Sequence, residues 1–326
     1  MSGGRPRVFV ARRLPGRALE RLAALVDLDC WEGDGPPPRS ELIARARDAV
    51  GLVPLLTDRV DAELLDQCRS LVVVSSMGVG YDHVDVAELT RRKIPLGNTP
   101  EVLTEATADL AFALVLAMAR RLVEARAAVL EGRWGPWDPS FLLGRELNGS
   151  MLGIVGLGRI GTAMARRARA FSMEVIAWTR TSRDVQGVRL VGFDELLARS
   201  EFVSLHVPLS AETFHLIGER EFEVMRDDAV LINTARGAIV DQKALARALA
   251  NGSIAAAGLD VCEIEPIALD DPLLGLSNCL VLPHIGSATE TTRARMADLV
   301  VDNLLAGLAG ERLPHCVNPE VYESQD

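Results

Sequence analysis

Three polar side chains in the second half of the chain follow short apolar runs, where strands are expected to end: Arg236, Glu265 and His284. Arginine is suited to bidentate binding of a carboxylate. Histidine is the side chain most easily poised for proton transfer near neutral pH, and a carboxylate on its far ring nitrogen would fix its tautomer and orientation. Taken alone, Arg236 and Glu265 are as readily ordinary loop residues. Together they predict a site that binds an organic acid and moves a proton.

Glycines recur as G-x-G-x-x-G at Gly156, Gly158 and Gly161, between a short apolar run and a helical stretch. This order of strand, turn and helix is the setting that a dinucleotide fingerprint requires, because the glycines let the backbone approach a pyrophosphate and the helix N-terminus attracts its charge. Next to a nicotinamide, the polar residues predict hydride transfer to a 2-oxo acid. Arg236 would bind its carboxylate, and His284 would give a proton to its carbonyl oxygen.

The strand after the fingerprint, residues 174–178, bears on the choice of nicotinamide cofactor. An NAD-preferring site places an acidic residue at the end of this strand, on the ribose hydroxyls. Here the strand is followed instead by Thr179, Arg180, Thr181 and Arg183. Hydroxyl and guanidinium groups are suited to a 2′-phosphate, although surface arginines are the simpler interpretation. The sequence therefore predicts NADPH (NADP) as the preferred cofactor, with NAD as the alternative.

The order of apolar runs predicts two domains. Three such runs alternate with helical stretches ahead of the fingerprint, which begins only near the middle of the chain. Alternation of this kind predicts parallel pairing. We expect an α/β protein of two doubly wound parallel-sheet (Rossmann-like) domains with the active site in the cleft between them. Residues 1–102 plus 289–326 would form a substrate-binding domain, and residues 103–288 a dinucleotide-binding domain.

Several helices and loops are also predicted. A helix should run from Pro15 through Leu25, and another from Thr104 to Leu122 that is apolar almost all round and therefore links domains or forms a dimer interface. A helix over residues 289–308 would return the chain to the first domain. Gly132–Gly149 is a long irregular connection. The remaining histidines are expected to be structural, with His83 and His315 in turns, His206 at a strand end and His215 on a helical stretch.

Composition narrows the class of protein further. The net charge of −10 over 326 residues disfavours nucleic-acid partners and anionic membranes, whose binding proteins are basic. The five cysteines never occur in C-x-x-C spacing, so neither disulfides nor a metal site is expected. The N-terminus has no signal-peptide core, and the longest apolar run is too short to span a bilayer. A cytoplasmic enzyme is the resulting expectation.

Four motifs carry a resemblance to a known family. They are Gly156–Gly161, Asn233–Asp241, Ala257–Val261 with Glu265-Pro266, and Pro283–Ala288. Together with the separations of 29 residues from Arg236 to Glu265 and 19 from Glu265 to His284, they make the chain resemble the D-isomer-specific 2-hydroxyacid dehydrogenases from Val8 to about Asn318. Within that family the chain is most similar to glyoxylate/hydroxypyruvate reductases.

The resemblance implies reduction of glyoxylate and hydroxypyruvate by a catalytic set of Arg236, Glu265 and His284, for which the residues after the strand at 174–178 predict NADPH. It also implies a homodimer formed through the nucleotide-binding domains, in which Trp137 reaches the partner's cleft. Implied substrate contacts come from backbone N–H groups of Val79 and Gly80 and from Ser287, besides Arg236 and His284. Implied cofactor contacts outside the fingerprint glycines come from Arg159, Ile160, Pro208, Thr234, Asp260 and Gly286, of which Asp260 would hold the nicotinamide amide.

Other functions within reach of this fold remain open. One is reduction of another 2-oxo acid with broader specificity. A second, from a different class, is nucleotide sensing by a binding protein, because some transcriptional corepressors resemble this fold and keep the three polar residues. Formate dehydrogenases of similar fold carry an amide where Glu265 stands, which disfavours that activity. We expect neither the long tails of the corepressors nor the regulatory domain common in phosphoglycerate dehydrogenases.

Overall fold

The computed structural model describes residues 4–181 and 183–323, and the chain divides into two compact units. One unit takes in the described parts of Met1–Leu103 and Ser287–Asp326, and the other is Thr104–Gly286. The boundaries predicted from the sequence lie at 102/103 and 288/289. Each unit is built on one parallel sheet with helices between most successive strands, which confirms the predicted fold class.

Strands and α-helices mostly alternate along the chain. The described strands are β1 (Arg7–Val10), β2 (Asp27–Cys30), β3 (Gly51–Val53), β4 (Val73–Ser75), β5 (Leu96–Gly97), β6 (Met151–Val155), β7 (Glu174–Trp178), β8 (Arg189–Leu190), β9 (Phe202–Leu205), β10 (Val230–Asn233), β11 (Ala256–Leu259) and β12 (Cys279–Val281). The described α-helices are α1 (Ala18–Ala23), α2 (Arg39–Ala46), α3 (Ala62–Gln67), α4 (Val86–Arg91), α5 (Thr104–Ala119), α6 (Leu122–Leu130), α7 (Arg159–Ala170), α8 (Phe193–Arg199), α9 (Glu219–Val224), α10 (Gln242–Asn251) and α11 (Glu290–Leu308). The alternation is broken where, among the described elements, β8 directly follows β7, α6 follows α5, and only a 3₁₀ turn joins β11 to β12.

Both sheets pair their strands in parallel throughout the described chain. The first unit has the order β2-β1-β3-β4-β5, and the second has β12-β11-β10-β9-β6-β7-β8. Strands β9 and β10 are buried along their whole length, as expected of parallel strands covered on both faces. In the second sheet the direction of the strand order reverses between β6 and β9, and ligands of such sheets bind outside the carboxyl ends at that point. The loops that matter for function therefore follow β6, β9, β10, β11 and β12.

Two predicted helices are wrong in their bounds, and strand β2 was missed. The helix predicted over Thr104–Leu122 ends at Ala119, because Arg121 adopts a left-handed conformation (φ 52°) before α6 begins. The helix predicted over Pro15–Leu25 is limited to α1, because Gly16 is also left-handed (φ 72°). Strand β2 was not predicted, since its polar residues leave it half-exposed at the sheet edge. No helix in the described ranges is long and apolar enough to cross a membrane.

Candidate active site

His284 and Glu265 form a hydrogen-bonded pair in the second unit. Nδ1 of His284 lies 2.7 Å from Oε2 of Glu265, and both side chains are about one-third exposed. Because an ionised carboxylate only accepts hydrogen bonds, this contact assigns the ring proton to Nδ1 and leaves Nε2 to exchange a proton with a ligand. The backbone of His284 is left-handed (φ 53°), an uncommon conformation for a residue with a side chain.

The carboxylate of Glu265 is held in its ionised form. Burial would raise the pKa of Glu265, but the hydrogen bond with His284 and its charge, the backbone N–H of Cys262 and the charge of Arg236 together lower the pKa below its ordinary value. The Cys262 N–H donates to Oε1 at 3.1 Å, so the two carboxylate oxygens have different partners. The pair is thus arranged to keep a negative charge beside the imidazole ring.

Asp260 fixes the loop that carries His284. It is 1% exposed, and its backbone carbonyl accepts the N–H of His284 at 3.0 Å. Its carboxylate accepts the N–H groups of Ile285 (2.7 Å, at Oδ1) and Gly286 (2.7 Å, at Oδ2). Burial raises the pKa of Asp260, although these two N–H donors oppose the shift. Asp260 therefore bonds to three consecutive residues and sets where the imidazole stands.

Arg236 lies on the turn after β10, and Asn233 shapes that turn. Asn233 is buried, and its side chain donates to the carbonyl of Arg236 (2.8 Å) and accepts the N–H of Ala235 (3.0 Å). The guanidinium of Arg236 donates to the carbonyl of Ala235 at 2.9 Å, and its charge acts on Glu265. All three residues predicted to carry chemistry thus belong to one unit and follow neighbouring strands β10, β11 and β12.

The loops of Arg236 and Glu265 are in direct backbone contact. A Cβ added to Gly237 would fall on the carbonyl carbon and oxygen of Cys262 and on the nitrogen of Glu263. Only a glycine therefore allows the chain after Arg236 to pack so closely against the start of the Glu265 loop. The position of one functional loop depends on that of the other.

The turn from β6 to α7 has the shape of a phosphate cradle. Gly156 is left-handed (φ 99°), and a Cβ there would lie 2.8 Å from backbone atoms of His206 and Val207. A Cβ on Gly161 would collide with the carbonyl oxygen of Gly156. Gly158 is the N-cap residue of α7 and offers no side chain to cap it, and no described atom lies within 4 Å of a Cβ added there. The N-terminus of α7, with its positive dipole end, is suited to an anion.

Thr234 adds a polar atom whose hydrogen-bonding capacity is unused. Its Oγ1 is buried and has no hydrogen-bond partner within the part of the chain that the structure describes. An unsatisfied buried hydroxyl is costly unless a ligand pairs with it. Thr234 directly follows β10, so this hydroxyl and the glycine cradle lie at the same carboxyl-end edge of the sheet.

The residues predicted to bind a 2′-phosphate follow β7. Thr179 Oγ1 donates to the carbonyl of Thr181 at 3.3 Å. The Arg180 guanidinium is exposed and stands 3.9 Å from a carboxylate oxygen of Glu212, and Arg183 is exposed. Glu212 was not predicted as a neighbour, because it lies more than 30 residues later and no local pattern marks it.

The remaining predicted contacts are distributed over both units. Arg159 and Ile160 open α7, Pro208 follows β9 and accepts the Thr213 hydroxyl at its carbonyl (2.6 Å), and Gly286 is buried beside Asp260. Val79 and Gly80, which lie in a bend after β4, and Ser287 belong to the first unit. Their predicted contacts with substrate or cofactor stay predictions.

The histidines outside the pair differ in their surroundings. Burial lowers the pKa of His206 to about 4, and its Nε2 lies 2.8 Å from Ser204 Oγ, so the ring is neutral. The prediction that His215 is helical is wrong: it lies in a turn with a left-handed backbone (φ 50°). Its Nε2 stands 3.0 Å from Oε1 of Glu263, two residues before Glu265. Sequence reasoning missed this neighbour of the site, because the contact spans 48 residues and no motif.

Comparisons with known proteins give one family match and several similar relatives. The sequence profile of the family described as "D-isomer specific 2-hydroxyacid dehydrogenase, NAD binding domain" matches residues 112–286. A protein named glyoxylate reductase from Korarchaeum cryptofilum is 49% identical over 324 residues, covering 98% of each chain. A crystal structure of a Thermus thermophilus protein has a TM-score of 0.91 at 46% identity, covering 95% of this chain and 99% of that one. A Sinorhizobium meliloti structure, an NADPH-dependent glyoxylate/hydroxypyruvate reductase with NADP and malonate, has a TM-score of 0.87 at 36% identity, with coverage of 99% and 100%.

Proposed function

Because this chain belongs to the D-isomer specific 2-hydroxyacid dehydrogenase family, we propose that it is an NADPH-dependent reductase of glyoxylate and hydroxypyruvate. The products would be glycolate and D-glycerate. The observation that carries the proposal is the 2.7 Å contact of His284 with Glu265, within reach of the charge of Arg236. The names of the relatives from Korarchaeum and Sinorhizobium support the choice of substrates.

Each of the three side chains has a separate role in the proposed reaction. Arg236 binds the carboxylate of the 2-oxo acid through its planar guanidinium. His284, protonated at both nitrogens, gives the proton on Nε2 to the substrate's carbonyl oxygen and becomes neutral. Glu265 stays ionised and stabilises the imidazolium before the transfer. When bound, the nicotinamide cofactor supplies the hydride that the carbonyl carbon accepts. Hydride and proton together convert the ketone or aldehyde to an alcohol, and the reverse reaction uses neutral His284 as the base.

The residues present fit a dinucleotide. The turn at Gly156 and Gly161 has no room for side chains, and the N-terminus of α7 that follows it favours a pyrophosphate. The free hydroxyl of Thr234 supplies a partner at the same sheet edge. Val79, Gly80 and Ser287 are proposed as further substrate contacts on the resemblance alone.

The preference for NADPH rests on the residues after β7. Arg180 and Arg183 with the hydroxyls of Thr179 and Thr181 suit a 2′-phosphate, and the Arg180 guanidinium would exchange its exposed contact with Glu212 for that phosphate. We expect Arg180→Asp to lower kcat/KM for NADPH by about 10-fold or more and to leave that for NADH unchanged or raised. Arg189→Asp, a similarly exposed arginine on the next strand of the sheet, is the matched control. Equal kcat/KM values for both cofactors in the wild-type protein would contradict the preference.

A steady-state screen tests the activity itself. Glyoxylate, hydroxypyruvate, pyruvate and a bulky aryl 2-oxo acid are each offered with NADPH and with NADH, and cofactor oxidation is followed. The proposal expects the first two acids to have the highest kcat/KM and His284→Ala to abolish turnover. A better result with the bulky acid would replace glyoxylate with a broader substrate class. No oxidation with any of the acids would refute the proposal.

A homodimer formed through the nucleotide-binding unit is part of the proposal. Large apolar side chains on α6 and the following connection are strongly exposed, which is unusual unless a partner covers them. These are Leu122 (52%), Val129 (54%), Leu130 (68%), Trp134 (71%), Trp137 (86%), Phe141 (43%) and Leu143 (66%). Light scattering should give the mass of two chains, and Leu130→Asp combined with Trp134→Asp should give the mass of one. A monomeric wild-type protein would contradict this part of the proposal.

A further inference from the structure

Gln242 bonds to two points of the loop that carries Glu265. Its side-chain Oε1 accepts the backbone N–H of Glu263 at 3.0 Å, and its Nε2 donates to Oδ2 of Asp271 at 2.7 Å. Its own backbone N–H donates to the carboxylate of Glu263 at 2.8 Å. One residue therefore anchors the loop two residues before Glu265 and six residues after it.

Gln242 and its partner Asp271 are each held by a further hydrogen bond next to them in the chain. Gln242 is the first residue of α10, whose start is set by Asp241, because the Asp241 carboxylate accepts the N–H of Ala244 at 2.9 Å. The other oxygen of Asp271 accepts the N–H of Leu273 at 2.9 Å, which caps the short 3₁₀ turn that follows. The side-chain amide of Gln242 thus connects the capped start of α10 to the capped 3₁₀ turn after Asp271. Moving Gln242 or Asp271 would also disturb the neighbouring cap bond.

Apolar packing does little to hold the loop between these anchors. Ile267 packs against the core of the unit, but Ile264 is 77% exposed and Leu269 is 95% exposed. Burial of apolar side chains is the usual source of rigidity in a loop, and here most of it is missing. The polar contacts of Gln242 consequently carry much of the positional order of Glu265.

We propose that Gln242 is a positioning residue that keeps the Glu265 carboxylate against Nδ1 of His284. The inference rests on the proposed function, because the His284–Glu265 pair is the proton-transfer group of that reaction. The site requires an acceptor and a donor on one side chain of this length. Glutamate lacks the donor and brings a carboxylate next to Asp271, whereas alanine removes both contacts.

The kinetic test compares Gln242→Ala and Gln242→Glu with Lys243→Ala, an exposed position one residue further along α10. We expect kcat to fall about 10-fold in both Gln242 variants, because misplacement of a reacting group costs rate. The KM for the cofactor should stay within about twofold of wild type, and Lys243→Ala should behave as wild type. In a Glu265→Gln background, Gln242→Ala should lower kcat by less than about twofold, because its effect passes through Glu265. An equal fall of kcat in both backgrounds would overturn the proposal.

A second readout does not depend on turnover. The proton on Nδ1 of His284, hydrogen-bonded to a carboxylate, should give a low-field signal in the NMR spectrum of ¹⁵N-histidine-labelled protein, assigned by its absence in His284→Ala. The signal should persist in Lys243→Ala and be lost or shifted upfield in both Gln242 variants. An unchanged signal in those variants refutes the positioning role. If the signal follows Gln242 but the wild-type protein reduces no 2-oxo acid, the proposed function fails and the positioning role stands.

Discussion

Gly237→Ala perturbs the site at the contact between its two loops. The added Cβ would lie about 1 Å inside the 3.0 Å limit that real Cβ contacts keep against the carbonyl carbon and oxygen of Cys262, and about 0.6 Å inside it against the nitrogen of Glu263. These are backbone atoms, so no side-chain rotation relieves the overlap. The peptide must move by about 1 Å, and Glu265 moves with it, because its carboxylate accepts the N–H of Cys262.

A displacement of that size sets the expected effect. We expect kcat to fall about 100-fold, as follows from a 1 Å misplacement of a reacting group. Overpacking should lower the free energy of unfolding by about 1–3 kcal/mol, which leaves the protein folded. Steady-state kinetics and urea denaturation measure the two quantities separately.

The matched control for this prediction is Gly275→Ala. Gly275 ends the 3₁₀ turn behind the same loop, and no described atom lies within 4 Å of an added Cβ there. The kcat and the unfolding midpoint of Gly275→Ala should match the wild-type values. A kcat of Gly237→Ala within threefold of wild type would show that the contact does not position Glu265, and the reasoning would fail.

Three further predictions concern stability. Because the pKa of Glu265 is lowered in the folded protein, its charge stabilises the fold above the unfolded pKa of about 4.3. The wild-type protein should therefore have a higher free energy of unfolding than Glu265→Gln at pH 7, and this difference should disappear as the pH falls through the folded pKa. Urea titrations from pH 7 to pH 3 measure both free energies, and a difference that does not change with pH would contradict the prediction. Asp260→Asn should lower the free energy of unfolding of the cofactor-free protein by about 1–3 kcal/mol, because an amide nitrogen then faces the N–H of Ile285 or Gly286. Urea denaturation measures this, and an unchanged midpoint would count against the role of Asp260 in holding the His284 loop. Thr289→Ala should lower the free energy of unfolding by about 1 kcal/mol, because Thr289 Oγ1 accepts the N–H of Thr292 at 3.1 Å and caps α11. Thermal unfolding monitored by circular dichroism tests this, and an unchanged melting temperature would contradict the cap's contribution.

Much of the site is visible in the sequence because parallel sheets bring the carboxyl ends of their strands to one edge. Arg236, Glu265 and His284 each follow an apolar run, so their neighbourhood follows once the runs are taken as adjacent strands. The glycine turn is equally readable, because its geometry admits no side chain at Gly156 or Gly161. These features depend on local pattern and on a topological rule, and a sequence carries both.

What the sequence does not reveal are contacts set by loop paths. His215 reaches Glu263 across 48 residues, and Gln242 reaches Asp271 across 29, with no periodicity that links either pair. The end of α5 is hidden for another reason. Apolar residues continue past Ala119 into α6, so hydrophobicity predicts one helix where the left-handed backbone of Arg121 makes two.

The distance of each functional residue from its strand end determines how much support it needs. Backbone hydrogen bonds continue past the strands, from Asp260 N–H to Asn233 O (2.8 Å) and from His284 N–H to Asp260 O (3.0 Å), so the sheet register itself places the start of each loop. His284 belongs to this series of backbone hydrogen bonds, so the Asp260 carboxylate is nearly all that is needed to hold its loop in place. Glu265 stands five residues beyond Asp260, outside this series, and depends on Gln242 and on the packing of Gly237. Substitutions away from Arg236, Glu265 and His284 should therefore act on the site mainly through Glu265.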